Sequence, residues 1–239
     1  MRPLETIVQD TAARPGRSRF AWRHPRTYLA AHSLVGLVLA VACAWAFVAI
    51  ADAMAEAGRL ARTDLRSATW FEHHNTEWGE SLFVGVSWLG SEMLVLLFVI
   101  VAIVLMWNRA WRRLALLAIA SIGVWPLNAL LKLSFHRTRP SFATEFVTDG
   151  SFSFPSGHAM ESIVIYGVLA FFIIEGHPSR RAAAWIAWLG LSVLIGFSRV
   201  YLGVHYISDV LAGFAAGFVW LFTCVTGYRF AQRRHLGRV

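Results

Sequence analysis

The sequence predicts an all-α membrane protein, a bundle of six transmembrane helices. Of its 239 residues, 57% are hydrophobic and only 15% are charged, a composition that soluble domains of this length do not normally carry. A helix needs about 20 residues to cross ~30 Å of hydrocarbon. Six apolar runs approach or exceed that length, at about 29–50, 82–107, 114–133, 157–174, 183–198 and 209–228.

The first and fifth runs need separate justification. The first run is about 22 residues long, whereas the hydrophobic part of a signal peptide has about 7 to 15 residues, so we expect it to remain as a span. The fifth run is the shortest. It reaches spanning length only if Arg199 lies at its polar end.

Basic residues predict the orientation of the bundle. Fifteen of the 22 lie before the first span or after the second, fourth and sixth spans, which places those segments and both termini in the cytoplasm. We therefore expect basic cytoplasmic tails at 1–28 and 229–239 around a six-span domain at 29–228. The 51–81 connection carries three arginines against six acidic residues, so it is predicted to be outer and interfacial, as is a 134–156 loop. The net charge of +8 thus indicates topology, not nucleic-acid binding.

Three polar clusters fall at the same, outer side when the spans are counted in order. KLSFHRTRP (132–140) closes the third span, FPSGH (154–158) opens the fourth, and SRVYLGVHYISD (198–209) joins the fifth to the sixth. Because alternate span ends share one membrane face, we expect these clusters to lie together.

The cations of these clusters suit a phosphate group. Lys132 is the only lysine among 22 basic residues, and alone it would be read as a charge at a helix end. Arg139 precedes Pro140, which restricts it to extended backbone. Together with Arg199 they form a set of cations that favours a polyanion.

The remaining polar residues suit anion binding and proton transfer. Ser156 is predicted to cap the fourth span, and Gly157 has no side chain to block an anion at the free N–H groups of that helix start. His158 follows in the first turn. His205 and Asp209 are four residues apart, so in a helix the carboxylate could hold one ring nitrogen protonated.

These three clusters resemble the tripartite motif of the type 2 phosphatidic acid phosphatase (PAP2) superfamily, K-x6-R-P, P-S-G-H and S-R-x5-H-x3-D, with every position filled. The resemblance implies His205 as nucleophile, Asp209 as its orienting partner and His158 as general acid. It further implies phosphate binding by a set of five residues: Lys132, Arg139, Ser156, Gly157 and Arg199. The motif covers residues 132 to 209 and nothing in the first 80 residues.

Neither a metal nor another cofactor is expected. The outer ends carry scattered carboxylates, not the oxygen cage that Mg²⁺ or Ca²⁺ requires. His73 and His74 are adjacent, with no nearby cysteine or i, i+4 partner, so we expect them at a surface and not on zinc. Cys43 and Cys224 lie inside apolar runs and are read as packing residues.

Four further residues within the spans draw attention. Glu92 lies inside the second run, where a carboxylate is a functional suspect, although a neutral Glu92 hydrogen bonded between helices is slightly favoured. Asn128 lies one turn before Lys132 and is expected to orient it. Gly213 and Gly217 form a GxxxG pattern that predicts close helix packing.

The leading functional prediction is a lipid phosphate phosphatase at the periplasmic face of a bacterial inner membrane. Its substrate could be phosphatidylglycerophosphate, phosphatidate, undecaprenyl diphosphate or a lipid A phosphate, and its oligomeric state is open. With His205 as nucleophile the resemblance implies a phosphohistidine intermediate, which a lipid phosphotransferase could use as well. The six spans argue against a vanadium haloperoxidase, and the His205, Asp209 and His158 set argues against a non-catalytic lipid-phosphate binder or transporter.

Overall fold

A computed structural model describes residues 25–56, 58–140 and 152–236, with side chains described from residue 34 to residue 234. Predictions for most of the N-terminal tail, for residues 141–151 of the expected outer loop and for the last three residues lie outside that part of the chain.

The described residues form an all-helical bundle with six candidate membrane spans, which confirms the predicted fold class. The α-helices are α1 (Pro25–Ala55), α2 (Arg59–His74), α3 (Glu77–Trp88), α4 (Glu92–Trp107), α5 (Trp111–Phe135), α6 (Gly157–Gly176), α7 (Arg181–Tyr201) and α8 (Ile207–Leu236), with a short 3-10 turn at Pro178–Arg180. Helices satisfy their own backbone polar groups, as hydrocarbon requires.

The second predicted span is two helices and not one. α3 ends in a tight turn, where Gly90 N donates to Ser87 O at 2.8 Å, and α4 begins after it. Gly90 is buried, and a Cβ added to it would lie 2.6 Å from Ile195 Cγ2 and 3.2 Å from His158 Cδ2. The break therefore brings backbone against the predicted general acid.

The connection between the first two spans is largely helical. α1 reaches Ala55, and α2 then packs against α1, α7 and α8, burying Asp64 and Ala68. α3 begins with Thr76 Oγ1 accepting the N–H of Gly79 at 3.1 Å. The 51–81 connection is thus a helical element docked on the bundle.

The last two helices extend the predicted runs. α7 carries Arg199 in its last turn, so the condition on the fifth run is met. α8 continues to Leu236, eight residues beyond the predicted end at 228, and so includes most of the segment expected as a C-terminal tail.

An apolar core fills the middle of the bundle between α5, α6 and α8. Its fully buried members include Leu117, Val124, Val164 and Val168. α6 and α8 approach closely on the glycine side of α8: a Cβ on Gly213 would lie 2.6 Å from Ser156 O, and one on Gly217 2.7 Å from Met160 O. The predicted close packing of GxxxG is confirmed.

Candidate active site

Four helix ends meet at one end of the bundle, which we call the polar end: the last turns of α5 and α7 and the first turns of α6 and α8. Backbone contacts join them. Ser156 N donates to Asp209 O at 3.0 Å, and Ser153 N donates to Arg137 O at 2.8 Å. The structure therefore brings together the three clusters whose convergence was predicted from span order.

The end of α5 positions the first two cations. His136 takes a left-handed conformation, with φ 50°, and its N–H donates to Lys132 O at 3.1 Å, which ends the helix and redirects the chain. Lys132 stays in the last helical turn. Arg139 reaches back across the site, where its Nη1 donates to Val204 O at 2.8 Å and lies 3.2 Å from His205 Nε2.

The first turn of α6 presents a buried, unpaired hydroxyl. Ser156 is the N-cap residue, as predicted, but its side chain makes no capping bond, and its fully buried Oγ has no hydrogen-bond partner among the described residues. Gly157 follows with Asn128 Oδ1 beside it, 3.3 Å from where a Cβ would be. An anion at this helix start would meet the Ser156 Oγ–H and free N–H groups.

The last turn of α7 delivers a buried guanidinium. Arg199 is 8% exposed, its Nη1 donates to the Ser87 hydroxyl of α3, and its Nε has no partner among the described residues. Arg199 is also the strongest charged neighbour of His158. An unpaired buried donor is costly, so this geometry suits an anion that would accept from it.

His205 lies in the loop before α8, not inside the helix that its spacing from Asp209 suggested. Gly203, with φ 66°, turns the chain, and His205 N donates to Arg199 O at 3.2 Å. The ring still meets its predicted partner, because His205 Nδ1 lies 3.6 Å from Asp209 Oδ2. Nε2 faces the Arg139 guanidinium and the cation cluster.

Electrostatics favour a neutral His205. Its side chain is 3% exposed, and burial lowers its pKa to about 4; the nearby charge of Asp209 opposes this shift, and Arg139 and Arg199 add to it. In a neutral imidazole whose Nδ1–H faces Ser153 Oγ at 3.3 Å and Asp209 Oδ2 at 3.6 Å, the lone pair lies on Nε2, where it can accept from Arg139 Nη1. Burial also lowers the pKa of Arg139, against the opposing charge of Asp209.

Asp209 is held from several sides. Its Oδ2 accepts the N–H of Tyr206 at 2.9 Å, half of a capping box at the start of α8. The same oxygen accepts from Ser153 Oγ at 2.5 Å, and Oδ1 accepts from Arg137 Nη1 at 2.5 Å. The carboxylate is fully buried and well oriented for His205.

The two secondary candidates differ from expectation. Asn128 is not hydrogen bonded to Lys132; its Nδ2 donates to Met160 Sδ at 3.6 Å. Glu92 does not bridge helices as a buried neutral group: it begins α4 with an exposed side chain that accepts from Ser91 Oγ, and it interacts electrostatically with Arg199.

Sequence reasoning missed five residues that support the site. Ser87 and Gly90 lie at the break inside the second apolar run, where small residues interrupt the apolar sequence in GVSWLGSE. Ser153 lies just before the second motif. Arg137 lies inside KLSFHRTRP but fills no named position of the K-x6-R-P motif. Asp64 has no local signal, because its partners lie 73 and 144 residues away in the sequence.

The described residues contain no group of three or more His, Cys, Asp or Glu side chains arranged to hold a metal ion. His73 and His74 are both exposed, and His74 stacks on Trp70 with ring centroids 4.4 Å apart. Cys224 packs in the apolar core, and Cys43 is half-buried.

The polar end combines three chemical capacities. Lys132, Arg139 and Arg199 supply positive charge, Ser156 Oγ and Arg199 Nε supply unused donors, and a neutral His205 can present a lone pair beside them. His158 lies within electrostatic reach of Arg199, His205 and Lys132. This arrangement can bind a tetrahedral oxyanion between a nucleophile and a proton donor.

Comparison with known proteins agrees with this geometry. Residues 109–233 match the family model of the PAP2 superfamily. The chain is 36% identical over 166 residues to "Phosphatidylglycerophosphatase B" of Bacillus subtilis, covering 65% of this chain and 80% of that protein. A "Lipid A 4'-phosphatase" of Porphyromonas gingivalis is 29% identical over 119 residues, 46% of this chain and 48% of that one.

A solved structure shares the fold. The crystal structure of a transmembrane PAP2-type phosphatidylglycerolphosphate phosphatase from Bacillus subtilis superposes with a TM-score of 0.72 at 31% sequence identity, covering 79% of this chain and 94% of that one. The family match covers more than half of the chain, and the relatives are named as phosphatases. The chain belongs to the PAP2 superfamily of membrane-embedded lipid phosphatases.

Proposed function

We propose that this enzyme hydrolyses the terminal phosphate of a membrane lipid, a phosphomonoester or a diphosphate, through a phosphohistidine at His205. The Ser156 Oγ and Arg199 Nε donors of the polar end, each buried and without a partner among the described residues, are the observation that carries the proposal. Buried donors are normally paired, so the oxygens of a bound phosphate would accept from them and offset the cost of the surrounding cations.

In the first step, the Nε2 lone pair of His205 attacks phosphorus in line, and the P–N bond forms as the bond to the lipid oxygen breaks. Asp209 stays ionised, and its negative charge beside Nδ1–H stabilises the positive ring. Lys132, Arg139 and Arg199 stabilise charge on the three transferring oxygens. His158, protonated beside the phosphate anion, gives its proton to the departing oxygen.

In the second step, the now neutral His158 takes a proton from water. The water oxygen attacks phosphorus, the P–N bond breaks, and inorganic phosphate leaves with His205 neutral again. No step requires a metal ion, because the cations of the site neutralise the phosphoryl oxygens.

The substrate we favour first is phosphatidylglycerophosphate, because the sequence comparison and the structure comparison each match a Bacillus subtilis protein named for that activity. Phosphatidate, undecaprenyl diphosphate and lipid A phosphates present the same terminal group and form the rest of the panel.

The test is phosphate release by the purified protein from each lipid of the panel, in chelator and with added vanadate. We expect full activity in chelator and inhibition by vanadate, which can adopt the five-coordinate geometry of the transferring group. Loss of activity in chelator that Mg²⁺ restores would overturn the mechanism. Transfer of labelled phosphate to an added acceptor lipid, in place of its release, would identify a phosphotransferase.

We also propose that the polar end faces the periplasm of a bacterial inner membrane and that both termini are cytoplasmic. The distribution of arginines supports it. In a protein with Cys43 and Cys224 replaced by alanine, Thr63→Cys on α2 should react with an impermeant thiol reagent in intact spheroplasts. Arg180→Cys should react only after permeabilisation, and the reverse pattern would refute the orientation.

A further inference from the structure

A buried acid on α2 reaches the centre of the polar end from outside all three motif clusters. Asp64 is 2% exposed, although it lies in the helical connection between the first two spans. Its Oδ1 accepts the N–H of Ser208 at 3.2 Å, and its Oδ2 accepts from Ser208 Oγ and from Arg137 Nη2, the latter at 2.8 Å. Nothing in the apolar pattern of the chain requires a carboxylate there.

Arg137 joins that acid to the partner of the predicted nucleophile. While Nη2 binds Asp64, Nη1 donates to Asp209 Oδ1 at 2.5 Å and to Ser208 Oγ at 2.7 Å. The guanidinium also lies over the Tyr206 ring at 4.1 Å. Its two terminal nitrogens are therefore taken, in contrast to the unpaired Arg199 Nε, so Arg137 is not arranged to bind phosphate.

The two oxygens of Asp209 consequently serve different groups. Oδ1 is bound by Arg137, and Oδ2 faces His205 Nδ1 and accepts from Ser153 and Tyr206. Arg137 therefore contributes to the rotation of the carboxylate about its Cβ–Cγ bond, together with Ser153 and Tyr206, and Asp64 contributes to the position of Arg137. A planar guanidinium can bridge two carboxylates in this way, whereas an ammonium cannot do so with the same geometry.

We propose that Asp64 and Arg137 are positioning residues for the phosphatase reaction, which act through Asp209 to orient His205 and to set its basicity, and that α2 is thereby part of the active site. This inference rests on the proposed role of His205 as nucleophile. Without Asp64, Arg137 would keep its charge but lose half of its anchorage, and the full positive charge would be directed at Asp209. Without Arg137, two buried carboxylates would face each other and His205 uncompensated.

A purely structural ion pair would predict something different. Such a pair holds α2 on the bundle, and its loss lowers stability and the yield of folded protein but does not change the ionisation of a histidine. The charge of Asp64 is opposite to that of Arg137. If both charges act on His205, removing one must raise the pKa of His205 and removing the other must lower it. The direction of each shift therefore distinguishes a positioning role from a purely structural one.

The experiment measures kcat and KM as functions of pH for Asp64→Asn and Arg137→Gln with the same lipid substrate. Asp64→Asn should move the acid limb of kcat/KM to lower pH, since Arg137 is then less neutralised and disfavours the protonated ring. Arg137→Gln should move it to higher pH, since Asp209 and Asp64 then favour the protonated ring. We expect shifts of about half a pH unit, because charges within ~4–6 Å shift a pKa by about 1 to 3 units and these act from further away.

Other charges facing His205 are unchanged by either substitution, so they cancel in the comparison. They come from every element packed at the polar end, and they are Lys132, Arg139, His158, Arg199 and Asp209. In both variants kcat should fall by about 10- to 100-fold, as for other residues that orient a reactive ligand. KM should change little, since neither residue is placed to touch phosphate.

The matched controls carry the same charge changes on the exposed side of α2. The side chains of Glu72 and Arg66 are both exposed, so Glu72→Gln and Arg66→Gln should leave kcat and the acid limb of kcat/KM unchanged. Arg137→Lys should recover the position of the acid limb, because it restores the charge, but only part of kcat, because it cannot bridge both carboxylates. Size-exclusion profiles and thermal unfolding of each purified variant identify the folded samples.

Three results would overturn the proposal: wild-type kcat in both variants, shifts of the acid limb in the same direction, or full recovery of kcat in Arg137→Lys. If Asp64→Asn does not fold, the Arg137 variants still test the proposal: the acid limb should move to higher pH in Arg137→Gln and return to its wild-type position in Arg137→Lys. His205→Ala, measured in parallel, distinguishes a wrong positioning role for Asp64 and Arg137 from a wrong proposed function. If His205→Ala is active, His205 is not the nucleophile and the proposed function fails. If His205→Ala is inactive while the Asp64 and Arg137 variants behave as wild type, only the positioning role of Asp64 and Arg137 is refuted.

Discussion

The polar end and the apolar core are built on the same helices, but they differ in how their buried side chains are paired. In the core, fully buried side chains such as Leu117, Val164 and Val168 contact one another, and glycines let α8 approach α6. At the polar end the fully buried side chains include Ser153, Ser156 and Asp209, and two donors there remain unpaired among the described residues. The other two unpaired buried atoms, Ser121 and Ser192 Oγ, lie apart on α5 and α7.

The difference predicts that substitutions in the core affect stability and that substitutions at the polar end affect function. Apolar packing and close helix contacts require nothing further from a ligand. Clustered cations and unpaired donors cost free energy in the free protein and become favourable only when an anion binds. Substitutions in the two regions should therefore separate the catalytic rate from the stability of the fold.

The largest effect is expected at His205. His205→Ala removes the proposed nucleophile, so activity should fall by at least about 10⁴-fold on every substrate, as when a catalytic triad loses a member. The folded structure should survive, because Asp209 keeps Arg137, Ser153 and the Tyr206 N–H. Quenched turnover with ³²P-labelled lipid should give acid-labile, base-stable label on wild-type His205 and none in the variant. Label on a serine would show that the nucleophile is elsewhere.

A smaller and substrate-dependent effect is expected at His158. In His158→Ala the nucleophile remains but the leaving oxygen is not protonated, which should cost about 10² to 10⁴-fold on a lipid substrate. A nitrophenyl phosphate leaves without protonation, so its first step should be restored in His158→Ala and not in His205→Ala. Burst kinetics measure this, and phosphoenzyme should accumulate because hydrolysis needs the same residue as base. Equal loss on both substrates would contradict the general-acid role.

Much of this contrast could be predicted from the sequence. Six apolar runs imply six spans, and span order alone places the three polar clusters at one face. The motif residues His158, Arg199 and Asp209 are each recognisable from local spacing, and GxxxG predicts close helix packing at α8, although not that α6 is its partner. These signals work because hydrocarbon imposes one secondary structure and one direction on each run.

The remainder depends on contacts between segments far apart in the sequence. Asp64 looks like an ordinary acid on an amphipathic helix until Arg137 is folded against it. The break at Gly90 is hidden because small residues are common inside membrane helices. The spacing of His205 and Asp209 suggested a continuous helix, and the loop conformation at Gly203 is set by Arg199 O accepting two backbone N–H groups.

A third, intermediate effect compares two serines of the α6 region. Ser156→Ala should leave thermal stability unchanged or slightly raised, since its buried Oγ has no partner to lose. Its affinity for vanadate should fall about 10- to 100-fold, the range for a hydrogen bond to a charged group. Ser162→Ala is the matched control, because Ser162 Oγ is buried and donates to Ala159 O at 2.9 Å. Isothermal titration and melting curves should show no change in vanadate affinity there, and a loss equal to that of Ser156→Ala would refute the anion role.

The smallest effect is expected where the two regions meet, at two glycines one turn apart on α8. A Cβ on Gly217 would lie 2.7 Å from Met160 O, and one on Gly213 would lie 2.6 Å from Ser156 O. In both cases α6 and α8 must separate, so each alanine should destabilise by about 1 to 3 kcal/mol, the usual cost of overpacking. Gly227→Ala, on the same helix with nothing within 4 Å of the new atom, is the control and should be neutral or slightly stabilising.

Activity should distinguish these two glycines although stability does not. Gly213→Ala displaces the backbone that carries Ser156, and misplacement of a positioning group by a few tenths of an ångström should lower kcat/KM several-fold, up to about 10-fold. Gly217→Ala moves Met160, which lies one turn deeper in the apolar core, so kcat/KM per folded molecule should stay near wild type. Melting temperatures and initial rates at a temperature well below unfolding measure both. Equal loss of activity in the two variants would contradict this distinction. It would mean that the backbone position of Met160 affects the reaction as much as that of Ser156 does.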